Sequence, residues 1–418
     1  YHRAFAVPLE PLNTLADWER HLETLSPPSH IELDLERVAV VWSRLEQQQP
    51  RHVLTVAGTN GKGSTVETAG LIAQTQGLRY GQYTSPHLHH IHERIRVAGQ
   101  PVSDDELVAA FGRVDSARGS VFLTYFEFLT LAALVIFQDH QLDLWILEIG
   151  LGGRLDAVNV IDPDVSVITS IGLDHQAYLG TTEEAIAREK AGVMRAGVTT
   201  FSAAINVRKT LDDEAVQLGG LMRWLDEVLE GSTLVLVEQI IDLTRMQLPK
   251  TSVALASLAM EELGYHITKE CLVGLEQAQM LGRMSRYQIG DQTWILDVGH
   301  NPLACEFVTQ ALADSVETDH RVAIFGALSD KDVESMLPIL QAYTSRIALV
   351  GIDGDRGRSV DSLVNLWSAL FGQTCWRSFA TLSDALEGLS SELELDDQVL
   401  IMGSFVLVAD ALKHDLFN

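Results

Sequence analysis

Basic residues are scarce. Lysine and arginine total 30 against 57 aspartates and glutamates, a formal net charge of −27. Such a chain repels nucleic acid and anionic membrane, so neither is expected as a partner. Lysine itself occurs only seven times, which makes the position of each one informative. Cysteine is rarer. Cys271, Cys305 and Cys375 are widely spaced and form no metal or redox pattern, which fits a reducing compartment and a cytoplasmic protein. No apolar run approaches about 18 residues without charge, so no membrane span is expected. The first eight residues, Tyr1 to Pro8, are too short and mixed for a signal peptide. No Asn-Lys-x-Asp run of the guanine-reading kind occurs either.

What is present is a soluble, globular composition, 46% apolar and 21% charged. A chain of 418 residues is too long for one ordinary core and predicts two domains. The chain is organised around Val53-Leu54-Thr55-Val56-Ala57-Gly58-Thr59-Asn60-Gly61-Lys62-Gly63-Ser64-Thr65. Its apolar, β-branched start reads as a buried parallel strand. A loop of three glycines and one lysine follows, and then a helix from Ser64 to Gln76, with Ser64 or Thr65 as the expected N-cap. Strand, glycine loop, lysine, hydroxyl and helix make a phosphate cradle. Lys62 would reach the β- and γ-phosphates, and Ser64 or Thr65 could hold Mg²⁺. The general P-loop spacing is not met: Val56 stands at the first glycine and Gly63 follows the lysine. A plain glycine-rich turn is the alternative.

Other strands end in polar residues. Leu142–Ile149 reads as a buried strand carrying Glu148 at its end, before Gly150-Leu151-Gly152-Gly153. A carboxylate there could hold Mg²⁺ or simply be solvated. Val165–Ile171 is a similar strand and leads to His175. A second strand near Arg79–Thr84 leads to Ser85 and then to His87, His89, His90 and His92. These histidines lack zinc-like partners, so an exposed loop is the better reading. Capping boxes are expected at Ser103/Glu106 and at Thr181/Glu184, and a long apolar helix from Thr124 to Asp139. By itself Lys190 reads as a surface salt-bridge lysine. From Tyr287 onward, strands alternate with helices in a second, smaller doubly wound sheet. There the Asp330-Lys331-Asp332 and Gly403-Ser404 loops could face a cleft.

Several of these runs together resemble the folylpolyglutamate synthase / dihydrofolate synthase family, relatives of the Mur cell-wall ligases. The runs are Gly58-Thr59-Asn60-Gly61-Lys62-Gly63-Ser64, Thr84-Ser85-Pro86-His87-Leu88 with Glu93-Arg94-Ile95, Glu148 to Ala157, Glu189-Lys190-Ala191-Gly192, Leu281-Gly282-Arg283, and Asp297 to Pro302. The resemblance implies an α/β protein: a Mur-ligase-like P-loop ATP-binding domain (1–285) and a Rossmann-like glutamate-ligase domain (286–418). It implies ATP binding by Thr59, Asn60, Gly61, Lys62, Gly63, Ser64 and Thr65, with Arg283, Asp297 and His300 across the cleft. Two Mg²⁺ ions are implied, held by Ser64, Ser85, Glu148, His175 and a carbamylated Lys190. Ile31, Thr124, Tyr125, Phe126, Leu155, Asp156 and Ala157 would bind a pterin. The catalytic set would be Lys62, Lys190 and His175.

The implied substrates are ATP, L-glutamate and dihydropteroate or a reduced folate, in a monomeric enzyme. Several departures stand out. Glu32 and Asp34 replace the family's Asp and Gly in the loop over the pterin, and Leu281 replaces a proline. No asparagine for adenine occurs near Lys250–Leu258, and residues 200–282 look short for the family. Two rivals share parts of the pattern. A Mur-type ligase for a UDP-sugar peptide would usually lack Gly63 and the Phe126 and Asp156 segments. The other is a P-loop nucleotide switch.

Overall fold

Strand β1 (His52–Ala57) lies at the centre of the larger sheet of the computed structural model, which describes residues 12–417 except 238, 316–319, 355 and 373–375. The opening residues and Cys375 therefore lie outside the described residues. The other strands are β2 (Tyr80–Tyr83), β3 (Ile95–Val97), β4 (Gln100–Pro101), β5 (Leu144–Glu148), β6 (Val165–Ile168), β7 (Thr199–Ser202) and β8 (Leu221–Trp224). Their order is β4-β3-β2-β5-β1-β6-β7-β8. From β2 to β8 every pairing is parallel; β3 and β4 add an antiparallel edge.

Period-two alternation explains the layering. Val53, Ala57, Trp145 and Leu147 face one core, filled by the helices Leu15–Leu25, Leu35–Trp42, Asp104–Arg118 and Tyr125–Asp139. Leu54, Val56, Leu144 and Ile146 face the other, filled by Lys62–Thr75 and Lys250–Glu262. With both faces covered, the central strands are apolar throughout. A small antiparallel sheet, β9 (Leu229–Glu230), β10 (Thr233–Val235) and β11 (Ile240–Asp242), packs its Leu234 and Ile241 into the second core.

The second sheet contains β12 (Ser285–Ile289), β13 (Gln292–Asp297), β14 (Arg321–Phe325), β15 (Arg346–Val350), β16 (Arg377–Phe379) and β17 (Gln398–Met402). Its order is β12-β13-β17-β14-β15-β16, parallel except for β12. Alternation again splits its two faces, with Val322 and Ile324 in one core and Ala323 and Phe325 in the other. Among the described residues, no helix is long and apolar enough to cross a membrane.

Two expected helix starts moved. The helix after the glycine loop begins at Lys62 and not at Ser64. The helix Glu183–Ala191 is capped by Thr182, whose side chain accepts from Ala185 N; no capping box forms at Thr181.

Candidate active site

Parallel register places Val56 beside both Glu148 and Val167, so the loops leaving β1, β5 and β6 share one edge of the sheet. That edge is where open α/β sheets collect ligands. Gly61 caps the first-loop helix at φ +84°, a conformation that glycine adopts freely and side chains resist. No side chain caps this helix, so its leading N–H groups remain available to an anion. Ser64 and Thr65 are therefore first-turn residues and not caps. Thr65 Oγ1 donates back to Gly61 O at 2.9 Å. Thr59 N donates to Ser170 O at 2.7 Å and Asn60 N to Ser170 Oγ at 3.1 Å, which ties the loop to the chain after β6.

Two lysines converge on one carbonyl. Lys62 Nζ donates to Gly58 O and Thr59 O, both at 3.1 Å, and Lys190 Nζ donates to Gly58 O at 2.7 Å. Lys190 is 4% exposed and is no surface salt-bridge residue. Burial, with Lys62 nearby, pushes its ammonium down to about 7. Burial also lowers Lys62, while Glu148 opposes that shift.

Glu148 is buried at the end of β5, and burial raises its carboxyl above the usual range against the pull of Lys62. Its Oε2 accepts from Ser85 N at 3.2 Å, and among the described residues it makes no ion pair. A buried carboxylate beside a hydroxyl, with a single backbone donor, suits an oxygen-seeking divalent cation. Ser85 opens a loop folded around Glu93, whose carboxylate accepts from the N–H groups of Leu88, His89 and His90 at 2.7–2.8 Å. This loop crosses to the second half of the chain, where Leu88 packs against the core of Trp294 and Leu296. His90 is exposed, His89 is half-buried, and half-buried His92 pairs with Asp104 at 2.7 Å. Among the described residues these histidines form no metal-spaced group; the one such trio, His320, Glu394 and Asp396, lies elsewhere.

A cavity of about 400 Å³ opens beside Ser85. Ile31, Thr124, Tyr125, Phe126, Leu155, Asp156 and Ala157 all line it, as do His175 and His300. Thr124 and Glu127 cap the helix Tyr125–Asp139 reciprocally. Phe126 lies so close to Gly150 that a Cβ there would meet its ring at 2.4 Å, so any larger residue at position 150 would displace the Phe126 ring. Asp156 accepts from Leu151 N at 2.8 Å and Val158 N at 2.9 Å. Burial nevertheless pushes its carboxyl up to about 7. The loop before Leu35 is fixed by Arg37, which grips buried Glu127 at 2.8 Å and Glu32 at 2.5 Å. Asp34 caps the helix that follows. The departures at Glu32 and Asp34 thus serve to anchor this loop.

Across the cleft, Asp297 ends β13 and accepts from Gly299 N at 2.7 Å and Met284 N at 2.9 Å. Burial raises its carboxyl, with Arg283 opposing. The Arg283 guanidinium lies over the Phe405 ring at 5.1 Å. His300 Nδ1 is 2.9 Å from Val298 O, and its Nε2 is 3.5 Å from Asp174 Oδ2. His175 has a left-handed backbone, and burial, against the pull of Asp174, lowers its imidazole to about 4.

Sequence reasoning passed over Asp174. This side chain also accepts from Lys331 at 2.8 Å and Asn301 at 3.1 Å. Burial works against its charge, but His300 and Lys331 hold the carboxyl well below the usual range. Asp174 therefore joins the edge of the first sheet to two loops of the second. The available signals were its place beside His175 and the lysine in the Asp-Lys-Asp loop. Where the family's adenine-contacting asparagine was sought, Ser252 Oγ donates to Gly61 O at 3.2 Å.

Comparison with known proteins agrees with this geometry. Residues 56–217 match the Mur ligase middle domain, and residues 282–405 match the Mur ligase glutamate ligase domain. The chain is 36% identical to the dihydrofolate synthase/folylpolyglutamate synthase of Escherichia coli K12, over 96% of this chain and 95% of that one. Its structure resembles E. coli FolC in complex with DHPP and ADP, with a TM-score of 0.88 and 34% identity, covering 96% and 97% of the two chains. It also resembles a bifunctional folylpolyglutamate synthase/dihydrofolate synthase with Mn, AMPPNP and L-glutamate bound, with a TM-score of 0.87 and 35% identity over the same shares. With relatives this similar along nearly its whole length, the chain belongs to the dihydrofolate synthase/folylpolyglutamate synthase family of Mur-type ligases.

Proposed function

We propose that this enzyme joins L-glutamate to the carboxylate of dihydropteroate and of reduced folates, with cleavage of ATP. One observation carries the reading: the aromatic cavity of Phe126 and Tyr125 reaches Ser85, whose N–H meets Glu148, and Glu148 Oε2 lies 3.6 Å from where a Cβ on Gly63 of the uncapped glycine-loop helix would stand. A flat heterocycle at one end thereby has its carboxylate directed to the phosphates. The relatives' complexes with DHPP and ADP, and with AMPPNP and L-glutamate, support the same arrangement.

A free carboxylate is a poor acyl donor, because oxide would have to leave. Transfer of the γ-phosphoryl group makes an acyl phosphate; the amine of glutamate then attacks the acyl carbon and phosphate departs. Positioning and charge neutralisation carry such a transfer. Lys62 and the amides of 59–65 hold the β- and γ-phosphates, while Arg283, Asp297 and His300 hold the nucleotide from the other half. Ser64, Ser85 and Glu148 would hold one Mg²⁺; Glu148, His175 and carbamylated Lys190 would hold a second. Bound there, the ions would neutralise phosphate charge and the developing oxyanion. The depressed ammonium of Lys190 supports the carbamate, since CO₂ adds only to a neutral amine. Ile31, Thr124, Phe126, Leu155, Asp156 and Ala157 enclose the pterin.

The reading extends to a nucleotide-binding unit (1–285), a glutamate-ligase unit (286–418) and a monomer working in the cytoplasm without nucleic acid. With ATP, dihydropteroate and hydroxylamine but no glutamate, a substrate hydroxamate should accumulate. Protein alone should hydrolyse little ATP, because the acyl phosphate must be shielded from water. Rapid hydrolysis indifferent to pteroates, with no hydroxamate, would favour the nucleotide switch.

A further inference from the structure

Three permanent cations line the cavity, namely Arg94, Lys331 and Arg356. They differ in how firmly they are held. Arg94 is 8% exposed, donates to His87 Nδ1 at 2.9 Å and lies 5.8 Å from the Tyr125 ring, at the aromatic end. The Lys331 side chain is 6% exposed and bound at 2.8 Å to the equally secluded Asp174. Displacing either ion of a buried pair strands the other charge. Arg356 is different. Its side chain is 43% exposed, and so is that of its carboxylate partner among the described residues, Asp330, at 42%. Exposed pairs of this kind contribute little and exchange readily.

The contact is also incomplete. Both Asp330 oxygens lie 3.2 Å from a single guanidinium nitrogen, Nη2, instead of meeting the two-pronged fork. A carboxylate free to approach would take the fork with two parallel bonds. The backbone beneath is fixed. Ser329 N donates to Arg356 O at 2.8 Å, Arg358 N to Ala327 O at 3.3 Å, and Leu328 bridges to Gly357. Arg356 therefore presents a movable fork from a rigid base, on the wall of the cavity that Phe126 also lines.

Resting on the ligase reading above, the geometry points to Arg356 as the residue that selects glutamate, by taking a carboxylate of that amino acid in place of Asp330. The chain's net charge of −27 makes such a local cation necessary for a dicarboxylate. The pteroate fills the aromatic side and the nucleotide the glycine loop. The amine must then arrive from the second half of the chain, which contributes Arg356, Leu328 and Ser404 to the lining.

Steady-state kinetics of the full chain test this. Arg356→Gln should raise KM for L-glutamate about tenfold or more, the loss of a charge-assisted pair, with KM for ATP and dihydropteroate within about twofold. Arg356→Lys should recover part of the loss. Asp330→Asn, which frees the fork, should leave KM for glutamate level or lower it by up to about threefold. Hydroxamate formation without glutamate should survive in Arg356→Gln. The assignment falls if KM for glutamate is unchanged, if hydroxamate formation drops in parallel, or if the effect appears only with an already glutamylated acceptor. If the unaltered enzyme forms neither hydroxamate nor glutamate adduct, the ligase reading itself falls.

Discussion

The side-chain amides of Asn60 and Asn301 exchange two hydrogen bonds, at 2.9 and 3.0 Å, across the cleft between the two halves of the chain. Asn60 belongs to the phosphate loop and Asn301 opens the helix Pro302–Ser315. Asn301 also donates to Asp174 and accepts from Ala304 N, so it is anchored on both sides. A double-mutant cycle with Asn60→Ala and Asn301→Ala should show coupling of roughly 0.5–1.5 kcal/mol in chemical unfolding. Strict additivity would mean that each amide is satisfied elsewhere and the cleft does not depend on the pair.

Lys62→Ala should lower turnover by about a hundredfold or more, since the side chain serves phosphate charge. The fold should persist, because among the described residues its Nζ makes two hydrogen bonds, to the loop carbonyls of Gly58 and Thr59. Full activity in a well-folded variant would reduce the loop to a turn.

Lys190→Ala should abolish activity, and small carboxylates should restore part of it by standing in for the carbamate. Its pH signature has a definite sign. The folded ammonium titrates near 7 against an ordinary value of 10.5. Between these values the unfolded chain holds a proton that the folded chain lacks. Stability from this group therefore rises as pH increases through that window, and the burial cost is fully present below it. Lys190→Met should flatten the slope in urea titrations at stepped pH; an unchanged slope would place the titration elsewhere.

Ser85→Ala should cost more activity than changing His89, His90 and His92 together to Gln. The triple variant should stay within about threefold, as changes worth well under 1 kcal/mol do. The reverse order would relocate the metal into the histidine loop.

Much of the site was legible because its residues sit at strand ends, where period-two apolar runs stop abruptly. Glu148 was found that way; His175, expected at a strand end, lies seven residues beyond β6, and Asp297 came from the family resemblance. Burial was not legible. Lys190 lies in a run of charged helix residues, yet Gly153 lies against its backbone and its Nζ reaches Gly58 O, 132 residues away. Asp174 was missed because its partners Asn301 and Lys331 are 127 and 157 residues away. Nor does a sequence reveal that Gly61, in place of a hydroxyl residue, caps the helix. Serine after a glycine loop satisfies the capping rule equally well, and the left-handed turn decides between them.

The loop from Ser85 to Arg94 begins beside Glu148 and lodges Leu88 in the core of the other half. It acts as an interlock. Prising the halves apart must either drag Ser85 away from Glu148 or extract Leu88 from its socket. For a half-buried leucine, extraction costs roughly 1–2 kcal/mol. Parting the two halves therefore carries a cost at Leu88 as well as at the contact between Ser85 and Glu148.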